Sequence, residues 1–126
     1  MKELKIGFLQ QHNTADTKNN LLRLAEGISD LAKRGAQLIV LQELHNSLYF
    51  CQTEDVRNFD LAEPIPGPST RFFGELAKQF GVDTVCKLPI DPVVATMVDA
   101  GEVESVPGEE IAPMADVIEN TLKIEE

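Results

Sequence analysis

Residues 36–41 constrain the fold of this chain more than any other segment. They read AQLIVL, and Gln37 is their one polar side chain. Gly35 precedes the run and Glu43 follows it closely. A short, almost wholly apolar run of this kind is typical of a strand that is buried on both faces, as in a parallel sheet. The sequence therefore predicts a buried strand over 36–43, with Glu43 at its carboxyl end, where open α/β folds place their chemistry.

The segments around this run predict an α/β domain. Residues 4–10 alternate in polarity like a first strand, and residues 17–33 carry apolar side chains at helical spacing. Strand, helix and strand with short connections form a βαβ unit. Apolar spacing and capping residues then predict a helical turn over 56–61, a helix from Ser69 or Thr70 to Gly81, a strand over 82–88, a helix starting at Asp91-Pro92 and a last helix over 112–124.

The predicted fold class is a small three-layer α/β domain that occupies the whole chain, residues 1–126. Its elements follow the order β-α-β-α-β-α-α. We expect a three-stranded parallel sheet with the strand order 2-1-3, flanked by about four helices.

Charge and hydropathy limit the partners of the chain. The net charge of −10 argues against nucleic acid and anionic membranes. No apolar run approaches the ~20 residues that cross a membrane, and we expect no leader peptide before the first strand. Two cysteines, Cys51 and Cys86, fit a reducing compartment. We therefore expect a cytoplasmic protein, monomeric or homodimeric, that has no cofactor and binds neither nucleic acid nor membrane.

The composition changes sharply near residue 81. Residues 1–81 contain 9 Lys and Arg, 10 Asp and Glu, and all seven aromatic residues of the chain. Residues 82–126 contain 2 Lys and Arg, 11 Asp and Glu, and no aromatic residue. This break indicates a boundary near Gly81-Val82, which marks either a functional tail or a change of ancestry.

Five segments of the first 81 residues follow one another in the order found in one known family. They are IGFLQQ at 6–11, the helix over 17–33, GAQLIVLQEL at 35–44, Tyr49-Phe50, and PIPGP at 64–68. On these segments the chain resembles the nitrilase, or carbon–nitrogen hydrolase, superfamily, and within it the N-carbamoylputrescine amidase branch. The resemblance implies a Glu that acts as general base, a Lys that supports the oxyanion and a Cys that attacks the carbonyl carbon. Glu43 matches the position of the Glu.

The Lys and Cys of that family match no position of this chain. Cys86 and Lys87 are adjacent, so on a strand they would point to opposite faces. Cys51 is near Glu43 in the sequence but matches no nucleophile position. A carboxylate base without its nucleophile and oxyanion donor cannot run acyl transfer through a thioester. These residues predict that Glu43 is vestigial and that the chain is not an enzyme.

Residues 82–126 carry a second resemblance. The segments DTVCKLPIDP at 83–92 and VDAGEV at 98–103 are similar to the C-terminal part of the P-loop ATPases of the Mrp, MinD and nitrogenase-iron-protein group. Pro89, Ile90 and Asp91 match the loop that lies beside the nucleotide base in that group. The phosphate-binding signature Gly-x-x-x-x-Gly-Lys-Ser/Thr does not occur in the sequence, so ATP binding would lose its main affinity term.

The two resemblances together favour a chimera joined at 80–82. On this interpretation the chain is an engineered or recombined α/β domain that has no intact catalytic or nucleotide-binding site and no small-molecule substrate. One alternative is a residual nitrilase-type amidohydrolase that uses Glu43 as general base. A second alternative is a nucleotide-binding or interaction module built on the ATPase-like tail.

The other chemically active side chains have ordinary structural roles on the sequence alone. His12 and His45 lack a third metal ligand at a fixed spacing, so no metal site is expected. A His45–Glu43 pair would give a weak hydrolytic site. Buried cysteines most often fill small apolar gaps. The acidic side chains of 102–110 lack the spacing of a calcium loop, which favours a solvated face.

Overall fold

A computed structural model of the protein describes residues 3–84, 86–88 and 91–124. The strands and helices are β1 (Ile6–Leu9), α1 (Thr17–Lys33), β2 (Leu38–Leu41), α2 (Pro68–Gln79), α3 (Pro92–Asp99) and α4 (Ala112–Ile124), with 3₁₀ helices at Val56–Leu61 and Val103–Ser105. The chain divides into two compact units, Met1–Val82 and Asp83–Glu126. We call these the first unit and the second unit.

The first unit is built on the predicted βαβ arrangement. β1 and β2 pair in parallel, with Ile6 opposite Leu38 and Leu9 opposite Leu41. The side chain of Asp16 caps α1 by accepting a hydrogen bond of 3.0 Å from the Asn19 amide. The parallel pairing brings the carboxyl ends of both strands to the same edge of the sheet.

α1 lies close against one face of this sheet because glycines face leucines across the contact. A Cβ atom added to Gly27 would lie 2.7 Å from Leu9 Cδ1, and one added to Gly7 would lie 3.0 Å from Leu31 Cδ1. Those two leucines therefore fill the space that larger residues would need. Leu24, on the same helix, is fully buried and forms the centre of the core with Leu76 of α2.

The prediction that β2 is buried on both faces is wrong. The other face of the sheet carries Phe8 and Val40, which remain 75% and 40% exposed. Successive strand residues point to opposite faces, so α1 can cover only one of the two faces of the β1–β2 pair.

The prediction of a third strand over 82–88 is also wrong for the residues that the structure describes. Residues 82–84 and 86–88 lie outside any strand, and Val85 lies outside the described residues. The Val82 amide donates to the Ala77 carbonyl at 3.0 Å and, with Gly81 at a φ of +68°, closes the end of α2. That amide is therefore not available to a strand ladder, and the described sheet has the order β1-β2 in place of 2-1-3.

The second unit consists of helices in its described part. Asp91 caps α3 by accepting a hydrogen bond of 2.8 Å from the Val93 amide, and Pro92 occupies the first helical position, as predicted. α4 occupies the predicted range. Of the helices that the structure describes in the two units, none is both long enough and apolar enough to span a membrane.

Candidate active site

Glu43 lies in a cleft at the carboxyl ends of β1 and β2. We call it the carboxylate cleft. It has a volume of about 490 Å³, and its walls are residues 10–13, 42–44 and 47–49. The two parallel strands position these residues, because each strand ends at this edge and its loop begins there. The sequence-based placement of Glu43 at the end of its strand agrees with this geometry.

Two hydrogen bonds join the strand ends immediately before Glu43. The Gln42 amide donates to the Leu9 carbonyl at 3.3 Å, which extends the ladder of the sheet by one residue. The Gln11 amide donates to Oε1 of Gln42 at 2.6 Å. These contacts fix the backbone on the amino-terminal side of Glu43.

The turn after Glu43 is held by two buried asparagines. Nδ2 of Asn13 donates to the carbonyls of Leu44 and Ser47, each at 2.8 Å. Nδ2 of Asn20 donates to the Asn46 carbonyl at 3.1 Å. Three carbonyls of a four-residue turn are therefore bound by side-chain amides from outside the turn.

The side-chain oxygens of the two asparagines also accept hydrogen bonds. Oδ1 of Asn13 accepts a hydrogen bond of 2.7 Å from Nε2 of Gln11. Asn20 is 0% exposed, and its Oδ1 accepts from the Thr14 amide at 3.0 Å while its Nδ2 donates to the Thr14 carbonyl at 2.7 Å. Buried polar groups are stable in a core only when they are paired in this way. The sequence analysis missed both residues; a polar side chain one helical turn before Leu24 in the apolar stripe of α1 was the available signal for Asn20.

The carboxylate of Glu43 is exposed to the cleft. Among the residues that the structure describes, it has no hydrogen-bond or ion-pair partner. Tyr49 lines the same cleft. The pKa of Tyr49 is raised, first by a hydrogen bond with the Cys51 side chain, then by the charge of Cys51, by burial and by the negative charge of Glu43. These causes all favour the protonated phenol, whose hydrogen bond is with Cys51 and not with a residue of the cleft wall.

Of the other candidate residues, His12 lines the cleft with Glu43, whereas the two cysteines and Lys87 do not. Cys51 is exposed and is not part of the cleft wall. Cys86 and Lys87 belong to the second unit. Within the described parts of the chain, no three His, Cys, Asp or Glu side chains are grouped so that they could hold a metal ion.

His45 is half-buried and does not pair with Glu43. Its ring meets Phe73 edge to face, with a centroid distance of 5.1 Å. Burial lowers the pKa of His45, and the negative charge of Glu63 partly opposes this shift. Its buried Nε2 has no hydrogen-bond partner among the described residues. The imidazole therefore serves as a packing group against Phe73 in this structure.

Comparison with known proteins identifies the class of this chain. The sequence profile of the carbon-nitrogen hydrolases matches residues 5–89. The chain therefore belongs to the carbon-nitrogen hydrolase family.

Three relatives illustrate the range of the family. The chain is 31% identical over 83 residues to a citrullinase of Francisella tularensis, 33% over 78 residues to an N-carbamoylputrescine amidase of Solanum lycopersicum, and 32% over 82 residues to an omega-amidase of Xenopus laevis. These alignments cover 65%, 61% and 65% of this chain and 29%, 26% and 28% of the relatives. The chain thus spans less than a third of the length of these relatives. No solved structure matches it at a significant level.

These findings overturn the interpretation of the chain as a chimera. The family match continues through Gly81 and Val82 to residue 89, so it crosses the expected joint at 80–82 without a change of family. The prediction that the chain is not an enzyme is wrong as well, because the family and its relatives are amidohydrolases. The resemblance of residues 82–126 to P-loop ATPases finds no support, and Pro89 and Ile90 of its nucleotide-side loop lie outside the described residues.

Proposed function

We propose that this chain carries the general-base part of an amidohydrolase site, and that Glu43 is the base. The observation that carries the proposal is the position of Glu43: it lies within the segment that matches the family, at the carboxyl end of a parallel strand, in a cleft open to small molecules. Active sites of open α/β folds are found at this edge of the sheet.

The surroundings of Glu43 suit a residue that moves a proton. A carboxylate without a bonded partner in the described structure keeps its lone pairs for an incoming O–H, N–H or S–H group. In the family, the resemblance assigns that proton to a cysteine thiol and assigns oxyanion support to a lysine. It assigns neither of these two residues to a position of this chain, so the proposal concerns the base and its cleft.

The cleft wall suits a small amide or ureido compound. Besides Glu43 and Tyr49, its lining includes Gln10, whose side chain is exposed. The nearby Gln11 and Gln42 side chains take part in the hydrogen bonds that join the strand ends. Amide side chains offer both donors and acceptors, which match the N–H and C=O groups of a planar amide or carbamoyl group. The names of the relatives, citrullinase, N-carbamoylputrescine amidase and omega-amidase, describe hydrolysis of such groups. We propose this substrate class, with the N-carbamoylputrescine amidase branch as its narrower form.

Ammonia release tests the proposal. Hydrolysis needs a nucleophile and an oxyanion donor besides the base, so the protein is purified in the form in which its source produces it, with any partner that copurifies. It is assayed with N-carbamoylputrescine, citrulline and small primary amides, and the Glu43→Gln variant is assayed in the same form. We expect turnover of at least one of these compounds and a decrease of about 10²- to 10⁴-fold in Glu43→Gln, the range that general acid–base catalysis contributes.

Glu54→Gln is the matched control, because Glu54 is an exposed carboxylate of a neighbouring loop that does not line the cleft. It should retain the activity of the unmodified protein. The absence of turnover with every compound, or equal activity in Glu43→Gln and Glu54→Gln, would contradict the proposal.

A further inference from the structure

The turn that follows Glu43 has few hydrogen bonds of its own. Its one internal backbone bond, from the Ser47 amide to the Leu44 carbonyl, is long at 3.4 Å. Leu44 has a φ of +48°, in the left-handed region that residues other than glycine rarely adopt. A backbone in this region persists only where the surrounding structure fixes it.

Asn13, in the loop between β1 and α1, holds the turn from outside. Its Nδ2 bonds the carbonyls of Leu44 and Ser47, which are the first and last residues of the turn. A single amide group therefore holds the two ends of the turn together. One of these ends is Leu44, the residue directly after Glu43. Asn13 is itself buried, so water cannot replace it without opening the structure.

Asn20 fixes the middle of the same turn from helix α1. Its Nδ2 reaches the Asn46 carbonyl, and it shares Gln11 with Asn13, because Nε2 of Gln11 donates both to Oδ1 of Asn13 and to the Asn20 carbonyl at 3.0 Å. The ends of the two strands and the start of α1 thus form one hydrogen-bonded network around the turn.

We propose that Asn13 is a positioning residue for Glu43, with Asn20 as its second anchor. This inference rests on the proposed function, since it gives the network a catalytic purpose. Asn13 also lies in the wall of the cleft, but in this role it acts through the turn and not on the substrate. It determines where the carboxylate of Glu43 stands relative to the reacting group, and misplacement of a catalytic group by about 1 Å can cost about 10²-fold in rate.

The Asn13→Asp variant tests the inference with almost no change in side-chain shape. An ionised aspartate has only acceptors, so it faces the Leu44 and Ser47 carbonyls without a donor. We expect kcat to decrease about 10- to 100-fold while KM changes by less than about 3-fold. In a Glu43→Gln background, Asn13→Asp should cause no further decrease, because the residue it positions is already disabled. Asn19→Asp makes the same chemical change at an exposed site on α1 and should leave kcat unchanged.

Amide hydrogen exchange gives a second readout that does not depend on activity. In Asn13→Asp, exchange at residues 44–47 should accelerate about 10-fold or more, while exchange in the middle of α1 stays as it was. If Asn13→Asp fails to fold, the uncharged variant Asn13→Ser is measured in its place, with kcat normalised to the folded fraction from circular dichroism.

Each outcome separates this inference from the proposed function. Unchanged exchange at 44–47, or a decrease in kcat that persists in the Glu43→Gln background, overturns the positioning role even if the protein is an amidase. Faster exchange at 44–47 in a protein that hydrolyses none of the tested compounds shows that Asn13 holds the turn, and it overturns the proposed function.

Discussion

The two units of this chain differ in how far along the sequence their polar contacts reach. In the first unit, side-chain hydrogen bonds join residues that are 26 to 34 positions apart, as in Asn20 to Asn46 and Asn13 to Ser47. In the second unit, the side-chain hydrogen bonds of Thr84, Asp91, Thr96 and Thr121 stay within four positions, such as Thr96 to Pro92. The first unit is thus fixed by tertiary contacts, and the described part of the second unit by local helical ones.

The two units also differ in the burial of their side chains. The first unit contains the buried leucines Leu24 and Leu76 and the buried asparagines Asn13 and Asn20. Of the second-unit side chains that the structure describes, none is buried to that degree. A precise site needs side chains locked by packing and by a supporting network of hydrogen bonds. The comparison explains why the candidate site belongs to the first unit.

Truncation of the core should give the largest effect on stability. Leu24→Ala removes a fully buried side chain from α1, and we expect it to lower the free energy of unfolding by about 2–5 kcal/mol. Val98→Ala, at a half-exposed position of α3, should change it by no more than about 0.5 kcal/mol. Urea unfolding followed by circular dichroism measures both. Equal losses in the two variants would remove the distinction between the units.

Removal of a network residue should give an intermediate effect. Asn20→Ala leaves polar groups of Thr14 and Asn46 without their partner, and an unsatisfied buried group costs about 1–3 kcal/mol. Asn120→Ala is the matched change at an exposed site of α4, and we expect it to stay within about 0.5 kcal/mol of the unmodified protein. Thermal unfolding measures the melting temperatures of both variants. Equal melting temperatures for Asn20→Ala and Asn120→Ala would contradict the importance of the network.

The pH dependence contributed by His45 should be the smallest effect. Burial lowers the pKa of His45 in the folded protein, while the unfolded chain titrates near about 6.5. The unfolded state therefore binds the proton more readily, so this contribution to stability is complete above about pH 6.5 and is lost as pH falls from there towards the folded pKa.

The variant His45→Gln should flatten the decline in melting temperature between about pH 6.5 and 5, and His12→Gln controls for the loss of a histidine as such. His12 is exposed, in contrast to His45. A decline that is unchanged in His45→Gln would show that the packing of His45 against Phe73 does not govern this part of the pH profile.

The local patterns of the sequence predicted most of the elements. The range of α1, the helix start at Asp91-Pro92 and the place of Glu43 after β2 all follow from short-range rules of periodicity and capping. The third strand was predicted wrongly because a strand depends on a partner, and a β-rich pattern over 82–88 does not supply one. The Val82 amide, which ends α2, shows how a local contact can take precedence.

For the same reason, the sequence predicted the place of Glu43 but not the hydrogen-bonded network that supports it. Glu43 stands in a local motif, whereas Asn13 and Asn20 gain their role from contacts 26 to 34 residues away. The change in composition near residue 81 was interpreted as a change of ancestry, yet the family match crosses it. The compositional change coincides instead with the boundary between the two units, where the packed part of the chain gives way to exposed helices.

Ammonia release from a ureido or amide compound, compared between the unmodified protein and Glu43→Gln, tests the central claim most directly. The account predicts turnover that decreases about 10²- to 10⁴-fold when the carboxylate becomes an amide, while Glu54→Gln retains full activity. Turnover of the same size in all three proteins would show that the carboxylate at the end of β2 is not the general base.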